Sequence, residues 1–107
     1  MVVDMGYRII VPINETGRNS YDYGLEDAEN LIVFDIPYDE FHILYPTVTE
    51  DINEKYGLLI DEYEDETIEA DIVNEIMNIL KSIDGIENIK KAFSKARELN
   101  TELYLEF

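Results

Sequence analysis

Hydrophobic and polar positions alternate or recur along this chain in patterns that predict four strands and at least two long helices. Tyr7, Ile9, Val11 and Ile13 fall at period two, which predicts a strand ending near Pro12, because proline cannot donate to a ladder. Leu31-Ile32-Val33-Phe34-Asp35-Ile36 is apolar on both faces apart from Asp35 and reads as a central strand covered on two sides. Between them, Asn14 to Gly24 carries Gly17, Asn19, Ser20 and Gly24 with little apolar content, which reads as a long loop. Short helices are expected over 38–45 and 49–56, the second ended by Gly57 as a left-handed cap, with a short strand over 57–60.

The C-terminal third is the most strongly patterned. Ile68, Ile72, Ile76, Ile79, Leu80 and Ile83 recur every three or four residues and predict an amphipathic helix from about 67 to 83. Asp84-Gly85-Ile86-Glu87 fits a capping box for a second helix, whose buried stripe is Ile86, Ile89, Phe93, Ala96 and Leu99. Thr101, Leu103, Leu105 and Phe107 then alternate with Glu102, Tyr104 and Glu106 in a half-buried strand. The predicted class is α+β: one domain over 1–107, with a small mixed or antiparallel sheet of about four strands. A C-terminal helical hairpin packs on one side of it, in a single layer of helices.

Charge changes this picture more than composition does. There are 25 Asp and Glu against 8 Lys and Arg, a net charge of −17 with His42 neutral. Residues 1–75 hold 20 of the acids and only three bases, whereas 76–107 hold five of each. The whole excess therefore lies in the first two thirds. A field of this sign repels phosphate backbones and anionic lipid, so no direct contact with nucleic acid or membrane is expected; a basic protein is the favoured partner. Lys90, Lys91, Lys95 and Arg97 are too few to reverse that expectation, and read as a solvated helix face. The absence of cysteine removes disulfides and thiolate chemistry, and no signal peptide or apolar span is read, which predicts a cytoplasmic protein.

The densest feature is Asp61-Glu62-Tyr63-Glu64-Asp65-Glu66, followed by Glu69 and Asp71. It fails the calcium-loop pattern: counted from Asp61, the third position is Tyr63 and the sixth is Glu66. No cofactor is expected. Solvation and the dipole of a following helix could account for the run, and so could a basic partner. Eight tyrosines and no tryptophan accompany the acids, notably Tyr21, Tyr23 and Tyr63, and tyrosine gives large contact area at low entropic cost. The candidate binding residues are therefore Asp61, Glu62, Tyr63, Glu64, Asp65 and Glu66, with Tyr21 and Tyr23 as aromatic contacts if the long segment folds nearby.

The run from Asp51 to Glu66, the amphipathic helices after it and the closing Asn100-Thr101-Glu102-Leu103-Tyr104-Leu105-Glu106-Phe107 resemble small acidic immunity proteins of bacterial polymorphic and contact-dependent toxin systems. That resemblance implies a non-enzymatic inhibitor of a cognate toxin, with a nuclease bearing a basic cleft as the favoured class. A nucleic-acid mimic is a close variant. The alternatives are a small enzyme using His42 with a carboxylate in a concave pocket, and an assembly subunit completed through an exposed strand such as the terminal one.

Overall fold

The computed structural model describes residues 6–62 and 64–107. The elements run β1 (Tyr7–Pro12), α1 (Glu15–Asp22), β2 (Leu31–Ile36), α2 (Tyr38–Leu44), α3 (Thr47–Tyr56), β3 (Asp65–Ile68), α4 (Ala70–Leu80), α5 (Glu87–Glu98) and β4 (Leu103–Glu106). The strands form one antiparallel sheet in the order β2-β1-β4-β3. The α+β class and the four-stranded sheet are as expected.

Register assigns the faces. Ile9 lies opposite Phe34 and Leu105, so these share the inner face with Val11, Ile36, Leu103 and Ile68. Helices α2 to α5 cover that face with Phe41, Leu44, Ile52, Val73, Ile76, Leu80, Ile89 and Phe93, which join the strand residues in one buried cluster. The expected helical stripes are present in part: in α4, which ends at Leu80, Val73 rather than Ile72 is the most buried member, and in α5 Ile89, Phe93 and Ala96 are buried while Leu99, expected with them, is the exposed C-cap. Gly57 ends α3 at φ 68°, the left-handed cap expected of it.

Five local expectations are corrected. The segment expected as a loop contains α1, and α1 lies on the outer face, so the helices do not form a single layer. There Tyr21 joins Ile10, Leu31 and Tyr104 in a second, smaller cluster. The strand expected over 57–60 is absent because the Asn53 side chain takes both backbone groups of Ile60, accepting from its N–H at 2.7 Å and donating to its carbonyl at 2.8 Å. The strand forms instead at Asp65–Ile68, so α4 begins only at Ala70.

The capping box also gives way. Ile86 is the N-cap of α5 and supplies no side-chain bond. Instead the buried Glu40 carboxylate, from α2, accepts from the backbone N–H groups of Asn88 at 2.9 Å and Ile89 at 3.1 Å. Lastly, the two strands read as central and terminal exchange places. β2 is an edge, while β4 lies inside the sheet between β1 and β3.

Candidate interaction surface

The acidic run does not open a helix. It forms a turn and an edge strand that pass round one margin of the sheet. On the inner side, Asp61 Oδ1 accepts from the Tyr45 hydroxyl at 2.7 Å and from the Glu62 amide at 2.8 Å. Glu62 accepts from the Tyr7 hydroxyl at 2.5 Å, and Tyr7 itself stacks on Phe41 at 4.0 Å between ring centres. Glu66 accepts from the amides of Leu59 at 2.7 Å and Thr67 at 3.0 Å. A carboxylate has about four acceptor sites, so these bonds orient the groups and leave oxygens facing solvent.

Glu64 and Asp65 are exposed, and their carboxylates make no hydrogen bond or ion pair among the described residues. Asp65 sits directly opposite Glu106 across the β3–β4 ladder. Like charges in that position are destabilising. Glu106 is compensated on its other side: Arg8, its partner across β1–β4, forms an ion pair with it, and the Tyr21 hydroxyl donates to it at 2.8 Å. Asp65 has no such help. Both acids line an outer-face cleft of about 570 Å³, together with Asp22, Glu26 and Asp27 from α1 and the turn after it. The Asp27 carboxyl is held below the usual carboxylate range by its bonds from Asn30 and Ser20.

Of the two tyrosines expected as contacts, Tyr21 is used internally. Its ring stacks on Tyr104 at 3.8 Å and 1° while its hydroxyl holds Glu106. Tyr23 is 80% exposed and free to meet a partner. Tyr63 lies outside the described residues. The long segment does fold near the acidic run, because Tyr21 and Asp65 line the same cleft. Sequence reading missed Glu106 and Arg8 as members of this surface; their charge was visible, but their adjacency depends on the strand order.

His42 is exposed on α2, its ring stacked on Tyr38 at 3.9 Å and its Nδ1 3.0 Å from the Tyr38 carbonyl oxygen. Among the described residues no group of three or more histidines and carboxylates converges to hold a metal ion, and no helix is long and apolar enough to cross a membrane.

The tyrosine network makes a prediction at high pH. Tyr21 is pushed above the ordinary phenol value first by burial and then by its bond to Glu106; Tyr45 is raised chiefly by its bond to Asp61, and Tyr104 chiefly by burial. A raised folded pKa means the native state holds the proton more tightly than the unfolded chain does. This stabilisation is therefore complete below about pH 10 and is lost as pH rises past that value. Titration followed by phenolate absorbance should show a late-ionising class, reduced by one in Tyr21→Phe. A single transition of all eight tyrosines near the unperturbed value, with the fold intact, would contradict it.

Searched against protein-family models, curated proteins and solved structures, the chain matches none of them.

Proposed function

We propose that the chain is an immunity-type inhibitor that captures a basic protein, a nuclease toxin being the class that fits best, on the acidic margin formed by β3, the turn before it and the cleft beneath α1. The observation that carries this reading is the juxtaposition of Asp65 and Glu106 at strand-pair distance, in a cleft that also receives Asp22, Glu26 and Asp27. Among the described residues that line the cleft Arg8 is the one base, and it serves Glu106. A lysine or arginine from a partner would relieve the repulsion and gain a charge-assisted hydrogen bond. Asp61, Glu62 and Glu66 support the same end, because their bonds to Tyr45, Tyr7 and backbone amides fix carboxylates in place before the partner arrives. Tyr23, exposed at the end of α1, offers ring area next to Asp22 in the chain.

On this reading a toxin cleft shaped for phosphate meets carboxylates instead, and association is steered by the field. Steering is screened over about 8 Å at physiological ionic strength, so the association rate should fall steeply with salt. The test is affinity capture from the native host with the tagged chain, eluted in rising salt, followed by association kinetics with the recovered protein. Wild type should retain a basic protein at low salt. The variant combining Asp61→Asn, Glu62→Gln, Glu64→Gln, Asp65→Asn and Glu66→Gln should associate about 100-fold more slowly, the upper range of steering being about 10³. An unchanged rate in that variant, or a rate flat across salt, would sink the proposal.

A further inference from the structure

β2 has the composition of an interior strand and the position of an edge. Leu31–Ile36 is apolar on both faces except at Asp35, yet it pairs with β1 alone. Among the described residues no loop or side chain hydrogen-bonds to its outward side over Ile32–Ile36. The opposite edge, β3, is protected in the usual way, being four residues long and bearing Asp65 and Glu66. β2 is six residues long, with no proline, no lysine and Val33 48% exposed. One of its six residues, the exposed Asp35, is charged, and an edge otherwise this apolar is a template for another strand.

The surroundings define the chemistry of that strand. On the inner side a cleft of about 410 Å³ is lined by Phe34 with Lys90, Lys91, Ser94, Lys95 and Glu98 of α5, Glu98 being paired with Lys95. Lys90 and Lys91 have no ion pair among the described residues, in a chain with three acids for every base. On the outer side the acidic cleft reaches β2 at Leu31 and Val33, beside Leu25, which is 58% exposed, and Glu26 and Asp27. A strand added about 4.8 Å from β2 sends alternate side chains to these two sides.

We infer that β2 is a docking edge for an extended segment of another protein, with acidic side chains directed at the α5 lysines and basic or aliphatic ones directed at the outer cleft. A second copy of this chain is the poorer occupant. Two-fold pairing of β2 with itself sets the α5 lysines against their mates and joins two chains of net charge −17. The inference does not rest on capture of a basic partner: the two surfaces share the outer cleft, but the open edge of β2 and the α5 lysines belong to the docking site alone.

The test is hydrogen exchange of the full chain with a synthetic ten-residue peptide alternating glutamate and arginine. Outward amides of Ile32–Ile36 should exchange at least tenfold more slowly at saturating peptide. Protection should be lost in Lys90→Glu/Lys91→Glu and retained in Asp61→Asn/Glu64→Gln. Lys90→Gln/Lys91→Gln, with helicity checked by circular dichroism, provides the milder variant and should bind at least threefold more weakly. The inference is overturned if β2 gains no protection, or if protection survives the lysine reversal. Protection that rises with protein concentration in the absence of peptide would identify a second copy as the occupant and overturn it equally.

Discussion

Replacing Glu40 with alanine should destabilise the protein by about 3 kcal/mol, the sum of lost charge-assisted bonds and newly unpaired buried donors. Glu40 is 6% exposed, and its carboxylate accepts from the Asn88 and Ile89 amides and from the Asn88 side chain. Those amides belong to the first turn of α5, which has no cap of its own because Ile86 occupies that position. The carboxylate also lies at the positive end of the helix dipole, which adds to its effect. In the alanine variant two backbone donors lose their acceptor, and water has little access. Glutamine should cost less, about 1 to 2 kcal/mol, since its oxygen can still accept while the Asn88 amide turns to meet its nitrogen. Denaturant unfolding of the two variants provides the measurement. A loss below about 0.5 kcal/mol for alanine, the size typical of a surface substitution, would show that α5 is not held this way.

That bond also marks where the sequence ceases to be readable. The stripe of α5 is legible because Ile89, Phe93 and Ala96 recur at helical spacing, and they are buried as the spacing requires. The start of the helix read from Asp84 and Glu87 falls two residues early, because Ile86 and not Asp84 is the N-cap. A carboxylate 48 positions earlier in sequence performs the cap, and no local pattern reports a contact so distant. The strand in the acidic run was hidden for a related reason. Isoleucine spacing through Ile68 and Ile72 suits a helix, but Ile68 is buried as the last residue of β3, opposite Leu103. Acid-rich sequence is tolerated there because an edge strand keeps one side open to water. Of the binding candidates, the charge of Asp61 to Glu66 was legible. What was not legible is their division: Asp61, Glu62 and Glu66 are oriented by neighbours, while Glu64 and Asp65 are left free. Tyr21 looked like a contact residue because its neighbours in sequence are acids; in space its neighbour is Tyr104.

Gly17→Ala should detach α1 from the sheet, and this is the second large effect. A Cβ at Gly17 falls 2.2 Å from the Asn30 carbonyl oxygen and 3.3 Å from the Pro12 Cβ, so backbone must move to admit one methyl group. Alanine favours helix over glycine by about 1 kcal/mol, which opposes the change. Overpacking against backbone costs about 1 to 3 kcal/mol, and losing the Tyr21–Tyr104 stack adds about 1 more, so the expected net loss is about 2 kcal/mol. The helix is composed of Glu15-Thr16-Gly17-Arg18-Asn19-Ser20-Tyr21-Asp22, too polar to persist without that docking. Its anchors are side-chain bonds: Asn14 accepts from the Gly17 amide and bonds to Asn30, Arg18 donates to Thr101, Ser20 bonds to Asp27 and Tyr21 bonds to Glu106. Once α1 lifts, Tyr21 releases Glu106, Asp22 leaves the cleft and the acidic surface loses one of its walls. Gly17→Ala should therefore weaken capture of a basic partner by about tenfold although it changes no charge, the equivalent of about 1.4 kcal/mol. Hydrogen exchange should show faster opening of residues 15–22 while β1 and β4 keep their protection. Full retention of both the helix and the binding would mean that the approach of Gly17 to Asn30 does not position this surface.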